Sequence, residues 1–344
     1  MPMDLIGKIK KLQDFNGNAS LRSRIKRYQI LARELQQLLK DKPYEWGKYQ
    51  NVFNRELDNV FRLIMDYEKN NLSEGHPEKV KKLHKIFVKY IRKEFLHGEY
   101  IVWSLKKPYG YAGDFKIIDA IYQNEPATTG FDRLFDNYFQ MSSISVAVRN
   151  RKEDFKQIIK NVISKKNKAR ILDLGSGPGR DLLEVLLDQP HKKSISVDCV
   201  DNDPHALDYS KKLLLNANSK IEFIRQNVLK LAATKHVHKL FPHQYDLIYS
   251  TGLFDYFSDR VIEALIKNLK QLLARDGLIA ISDVRDKFSN PSVHFMEWVG
   301  DWSLVYRHDE GFRNLFIKAG FRPRDLTISY EQQGIMQYVV GCNT

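Results

Sequence analysis

The stretch Ile171-Leu172-Asp173-Leu174-Gly175-Ser176-Gly177-Pro178-Gly179-Arg180-Asp181 decides the fold. A short apolar strand runs straight into a glycine loop, and the loop opens a helical pattern over Asp181–Leu187. Glycines let the backbone come close to a ligand, because no Cβ intervenes. The spacing is G-x-G-x-G. A dinucleotide loop reads G-x-G-x-x-G, and here Arg180 stands where its third glycine would be. The loop therefore need not cradle a pyrophosphate.

Working outward, β-rich runs alternate with helical ones from Lys168 onward. Ala169–Leu174, Ser194–Val200, Ile221–Ile224, Asp246–Tyr249 and Leu278–Ile281 read as strands, and Pro204–Leu214 and Arg260–Leu273 as helices. That alternation predicts βαβ units and a parallel, Rossmann-like α/β sheet. Two late strands, Leu326–Tyr330 and Met336–Val340, lie so close in sequence that they predict a closing hairpin.

The chain before this region reads as helices. Leu21, Ile25, Tyr28, Leu31, Leu35 and Leu38 recur at helical spacing. A second run holds Val52, Leu57, Val60, Phe61 and Ile64, and a third holds Leu83, Phe87, Tyr90 and Ile91, with Gly98 as its stop. A further helix is expected from about Ser142 to Val162. The expected domains are a helical one over 1–140 and a sheet domain over 141–344. The net charge is +13, and residues 1–110 hold 23 lysines and arginines against 13 acids. A basic surface suits nucleic acid or an anionic partner. These lysines alternate with apolar residues instead of forming one tract, so a solvated helix face is the preferred reading and no nucleic acid is expected. At 43% hydrophobic residues the chain can bury a sizeable core. No apolar run reaches the roughly 18 residues of a membrane span. Met1–Lys11 lacks the apolar stretch of a secretory signal. Only Cys199 and Cys342 are present, outside any metal-ligand spacing. A soluble protein in a reducing cytoplasm is expected, without a metal.

Four elements around the glycine loop carry the chemistry. Asp173 precedes Gly175, Ser176, Gly177 and Gly179, and suits the ammonium of a methionine moiety. Asp201 ends the second strand, beside Asn202, where an acid can accept both ribose hydroxyls. Asp203, just before Pro204, reads as a helix cap. Asn227 and Val228 follow the third strand, where the amide oxygen of Asn227 can accept from an adenine amino group. Ser250-Thr251-Gly252-Leu253-Phe254-Asp255-Tyr256 follows the fourth strand, at the carboxyl edge where open α/β sheets place ligands. In this order and spacing the elements resemble the class I methyltransferase superfamily over about residues 168–344. The resemblance implies a seven-stranded sheet and S-adenosylmethionine as cofactor.

Other segments resemble a narrower bacterial family, named for 3-hydroxypalmitate methyl ester biosynthesis. They are Lys107-Pro108-Tyr109-Gly110-Tyr111-Ala112-Gly113-Asp114, Val148-Arg149-Asn150-Arg151, Asn290-Pro291, Met296-Glu297-Trp298, Asp301-Trp302 and Tyr306-Arg307. That resemblance implies methylation of a carboxyl group on a fatty-acid-like or other small acid. The Tyr109–Asp114 loop is a candidate lid, with Tyr111 and Asp114 near the cofactor, or a tight turn between domains. Arg149 and Arg151 either bind an acidic group or pair with surface acids, and for a single arginine the surface reading usually wins. Trp298, Trp302 and Tyr306 fall at i, i+4 and i+8, one face of a helix. Arg307 supplies a fork that matches a carboxylate. His294 is the candidate general base for an alcohol acceptor. The rival readings are a protein or nucleic-acid methyltransferase docking through its basic helices, and a non-catalytic adaptor that keeps the cofactor fold. The methyl acceptor is expected to be a small molecule, and an oligomer is allowed.

Overall fold

A computed structural model of the chain describes residues 19–188, 194–217 and 219–344. The Met1–Lys11 stretch read above lies outside them. Two compact units divide the described residues, and neither is a continuous run of chain. One takes residues up to 113, then 124–145 and 287–303. The other takes 114–123, 146–286 and 304–344.

The first unit is helical. It holds α1 (Ala19–Asp41), α2 (Gln50–Ser73), α3 (Pro77–Tyr90) and α4 (Glu99–Lys106). Next in the chain, α5 (Phe115–Gln123) belongs to the sheet unit, α6 (Gly130–Met141) to the helical one, and α7 (Ser143–Ser164) runs mostly in the sheet unit. The α1 stripe buries Leu21, Ile25, Tyr28 and Leu35 as the spacing predicts. At its end Leu39 is buried and Leu38 is 49% exposed, because a 3.6-residue period drifts off a strict 3-4-3 count over six turns. Gly98 does not stop a helix. It precedes α4 at φ +80, and Asp136 Oδ1 accepts from Glu99 N and Tyr100 N at that helix start.

The second unit is a seven-stranded sheet. In chain order it adds β1 (Lys168–Leu174), α8 (Arg180–Leu187), β2 (Ser194–Asp201), α9 (Pro204–Leu213), β3 (Lys220–Arg225), α10 (Val228–Ala233), α11 (Val237–Leu240), β4 (Tyr245–Ser250), α12 (Asp259–Gln271) and β5 (Leu273–Val284). After α13 (Pro291–Gly300), which returns to the helical unit, come α14 (Asp309–Lys318), β6 (Leu326–Tyr330) and β7 (Met336–Cys342). The strand order is β3-β2-β1-β4-β5-β7-β6. Strands β1 to β5 pair in parallel, and β7 is antiparallel to both neighbours. The expected hairpin is therefore present, inserted with its second strand beside β5. Apolar side chains such as Leu172, Val200, Ile248 and Ile279 fill the core. The order reverses between β1 and β4, so the carboxyl ends of those strands open the crevice where such sheets hold ligands.

Candidate active site

The turn after β1 folds around three glycines with positive φ: Gly175 at +70, Gly177 at +51 and Gly179 at +71. Gly175 N and Ser176 N both donate to Val200 O, at 2.8 and 3.1 Å. The end of β2 then closes on the loop. Asp201 Oδ2 accepts from Gly177 N at 3.0 Å, and its Oδ1 accepts from Asp203 N at 2.9 Å. Asp203 caps α9 through His205 N at 2.8 Å, as its place before Pro204 predicts. Asp201 is no cap. Each of its oxygens keeps a lone pair for a further donor, which leaves the ribose role open to it.

Asp173 is buried, and its Oδ2 has no hydrogen-bond partner. Burial pushes its carboxyl well above the usual range, and the charges of Asp181 and Asp201 add to the rise. Asp181 is also buried and raised, chiefly by desolvation. Ser176 Oγ and Tyr249 OH lie nearby in the fold, at the loop and on β4, also buried and without partners. This cluster of buried acids feels Lys152 at Asp181, and a positive ligand beside Asp173 would lower its cost further. The ammonium and sulfonium of S-adenosylmethionine have the required charge, and a loop free of Cβ atoms at Gly177 admits the ligand's main body. The residues fit the cofactor.

Other expected positions are committed elsewhere. Asn227 Oδ1 accepts from Leu229 N at 2.8 Å and caps α10, so only its second lone pair is left for an adenine. Val228 is buried, and Asn202 is exposed in the bend after Asp201. Ser250 is a correction: its hydroxyl donates to Leu174 O at 2.6 Å and ties β4 to β1, which makes it a strut of the sheet. Asp114 is fully buried and its Oδ1 accepts from Lys116 N and Ile117 N, at 2.9 and 3.1 Å. It caps α5, a role that its side chain was not expected to have. Tyr111 is half-buried in the helical unit.

Arg307 is also corrected. Its Nε meets Asp259 Oδ1 at 2.8 Å, Nη1 meets Asp283 Oδ1 at 2.9 Å, and Nη2 donates to Phe257 O. Each of its three nitrogens is thus engaged by the protein itself, and with the side chain only 5% exposed Arg307 reads as a residue that ties these segments together. The aromatic stripe fails for a simpler reason. Helix α13 ends at Gly300 and Asp301 caps it at φ +51, so Trp302 and Tyr306 are not on the helix of Trp298. His294 is buried in the helical unit with Nε2 3.3 Å from Glu68 Oε2, and neither ring nitrogen makes a hydrogen bond. There Lys287 bridges Glu68 and Glu297 at 2.7 and 2.5 Å. Burial alone would raise Glu68, but His294 and Lys287 prevail and hold its carboxyl at about 2.

Three residues near the loops were not singled out from sequence. Asp119 on α5 holds the guanidinium of Arg180 through both carboxylate oxygens and accepts from Tyr209 OH at 2.6 Å. Tyr122, one turn on, has its phenol pushed up to about 12 by burial, with Arg151 and Thr251 pulling it down. Asp255 is buried in the loop after β4, and its Oδ1 accepts from Val284 N at 2.8 Å. Arg151 had been weighed as a surface residue, yet it is 4% exposed. Its signal was present in the sequence: Ala147, Arg151, Phe155 and Ile159 stand four apart, and all four are buried on one face of α7. Arg149 is half-buried, and its Nη1 donates to Ile121 O at 3.4 Å.

Comparisons with known proteins bear on the fold and the family. A solved structure described as a possible exported protein from Bordetella parapertussis has a TM-score of 0.55 at 16% identity, covering 86% of this chain and 96% of its own. That likeness shows a shared fold. Magnesium protoporphyrin IX methyltransferase from Synechocystis PCC 6803, solved with bound SAM, has a TM-score of 0.46 at 11% identity, covering 72% of this chain and 99% of its own. No curated protein matches the chain in sequence. The model of the methyltransferase domain family matches residues 147–325, more than half of the chain. The chain thus belongs to the methyltransferase domain family, and it is an S-adenosylmethionine-dependent methyltransferase.

Proposed function

We propose that the enzyme methylates a carboxylate oxygen of a small, fatty-acid-like or other organic acid, as a member of the family named for 3-hydroxypalmitate methyl ester biosynthesis. One observation carries this reading. The sheet edge beyond β4 offers donors and a cation, and its candidate bases are tied. Tyr122 holds its proton to about 12. The Ser250 hydroxyl is spent on Leu174 O, and one oxygen of Asp255 on Val284 N. An alcohol acceptor needs a base at this edge. A carboxylate is already ionised at neutral pH and needs none.

When bound, S-adenosylmethionine supplies a sulfonium methyl that is already an activated electrophile. The chain's own residues then bind and orient. We assign Asp173 to the ammonium, Asp201 to the ribose hydroxyls, Asn227 and Val228 to the adenine, and Ser176 to the loop's polar lining. Holding the two reactants in register in a dry site is the principal catalytic contribution. Arg307 and His294 have no part in this assignment. The basic helices are read as solvated faces, since α1 buries an apolar stripe and exposes its charged positions. We propose a reducing cytoplasm as its setting from its two free cysteines. No helix among the described residues is long and apolar enough to cross a membrane.

The test is methyl transfer from labelled cofactor to a panel of small acids, alcohols and amines. The expected product is a methyl ester, from which mild alkali releases labelled methanol. Label that resists alkali, as in an ether or a methylamine, would overturn the acceptor class.

A further inference from the structure

Arg151 is a buried cation without a counterion in contact. Its Nε has no hydrogen-bond partner, and no ion pair holds its guanidinium among the described residues. Asp255 and Tyr338 feel its charge from further away. The two terminal nitrogens lie 3.0 Å from the point where a Cβ on Gly252 would sit. Gly252 has φ +77 and stands two residues beyond the end of β4. The glycine thus serves two ends: it takes a left-handed turn, and it leaves the guanidinium the room to reach the loop at the carboxyl edge of the sheet. Tyr122 fixes where this place lies. Its hydroxyl interacts with Arg151 and Thr251 on one side and feels the charge of Asp181, on the glycine-loop helix, on the other. Arg151 and Tyr122 thus lie where the loop after β4 and the helix that follows the glycine loop come near each other.

A buried charge is costly unless it is paired, and a ligand is a legitimate partner. We propose that Arg151, with the Tyr122 hydroxyl as a second donor, binds the acceptor's carboxylate. The proposal rests on the carboxyl reading above and names the residues that would carry it. One carboxylate oxygen takes the donors and the other attacks. The O–CH3 bond forms as the C–S bond breaks, the bonding electron pair stays on sulfur, and no proton moves. The product is a neutral ester. It gives Arg151 no charge to bind, so methylation itself weakens the hold on the product.

The experiment uses the full chain and two probes, dodecanoate and its methyl ester, beside the acid of highest turnover in the panel above. Arg151→Gln is expected to raise the acceptor KM by ten- to a few hundredfold while calorimetric binding of S-adenosylhomocysteine stays within twofold. Arg151→Lys keeps the charge but loses the fork, and is expected to fall between. Removing an unpaired buried charge should leave the melting temperature of R151Q unchanged or raised. Dodecanoate should raise the melting temperature of the wild type and not of R151Q, and its methyl ester should raise neither. The subsite is overturned if the wild type esterifies acids and R151Q does so with an unchanged KM; the carboxyl reading then survives. It is also overturned if R151Q and R151K both unfold, since Arg151 is then a structural residue. If the wild type methylates only alcohols or amines, the acceptor reading fails and the subsite falls with it.

Discussion

The two loops that meet at the carboxyl edge of the sheet carry opposite imbalances. Around the glycine loop, Asp173, Asp181 and Asp201 are acids in a desolvated place, and burial drives all three carboxyls up. Beyond β4, Arg151 is a cation in an equally desolvated place. Two other arginines of the same unit are balanced at contact distance. Arg307 has Asp259 and Asp283, and Arg180 has Asp119. Arg307 and Arg180 thus have carboxylates at contact distance and Arg151 has none, a contrast that the proposed ligand role of Arg151 would account for. The acids show a similar contrast. Asp203 spends an oxygen on capping α9, whereas Asp173 has an oxygen with no hydrogen-bond partner.

The strongest way to break this contrast is at Gly177. Its φ of +51 disfavours a β-branched residue, and the added side chain would enter the ligand's space. Gly177→Val is expected to abolish binding of S-adenosylmethionine and its demethylated product by calorimetry while the protein stays folded. Undiminished binding would show that the loop does not cradle the cofactor. The next effect is on stability. Arg307→Ala strips a buried ion pair from Asp283 and should cost about 3 kcal/mol in denaturant unfolding. Acceptor KM should not change in what remains folded. A rise in KM with no loss of stability would exchange the roles of Arg307 and Arg151.

Asp173 gives a pH-dependent test. Its folded-state carboxyl is raised, so the folded protein holds a proton that the unfolded chain releases in the ordinary carboxylate range. The stability this contributes is present at low pH and is lost as pH rises through the raised folded value. The cofactor-free enzyme should therefore lose stability as pH climbs above the carboxylate range. Asp173→Asn should flatten that slope and weaken cofactor binding by roughly 1–3 kcal/mol. Binding to the wild type should also release protons, seen as a buffer-dependent heat in calorimetry. A slope identical in D173N would place the titration in another group.

Most of the fold was legible because its signals are local. Strand Leu326–Tyr330 was read with its observed ends, and β1, β4 and α8 within a residue, since apolar runs bounded by turn residues need no tertiary knowledge. The glycine turn and the positions of Asp173 and Asp201 near the ends of their strands were legible for the same reason. What failed was non-local. Nothing near Ser250 announces that its hydroxyl is taken by Leu174 O, 76 residues away, nor near Arg307 that Asp259 and Asp283 surround it. The stripe of Trp298, Trp302 and Tyr306 had the right spacing, but Gly300 and Asp301 end the helix beneath it. Arg151 was legible in principle, in line with Ala147, Phe155 and Ile159, but the low worth of surface arginines outweighed the stripe.

The smallest expected effect lies at Asp119, and it asks whether the two ends of the site are mechanically linked. Asp119 grips Arg180, the residue after the last glycine of the loop, and Tyr209 on α9, the helix that follows Asp201. One carboxylate thus anchors the segments behind both acids proposed to hold the cofactor. Three residues further along α5, Tyr122 faces Arg151 and Thr251. Asp119→Asn keeps the volume and one acceptor oxygen but removes the charge that makes the Arg180 contact strong. The glycine loop would then sample wider positions, and cofactor affinity should fall several-fold, about 1 kcal/mol. At saturating cofactor, kcat should be nearly unchanged, because the reacting groups are the same once the loop is filled. Acceptor KM should rise less than cofactor affinity falls, since Thr251 still engages Tyr122. Adding Tyr122→Phe should then raise acceptor KM without a further loss of cofactor affinity. Equal losses at both ends in D119N would mean that α5 moves as one rigid bar, and unchanged cofactor affinity with a lower melting temperature would reduce Asp119 to a strut of the fold.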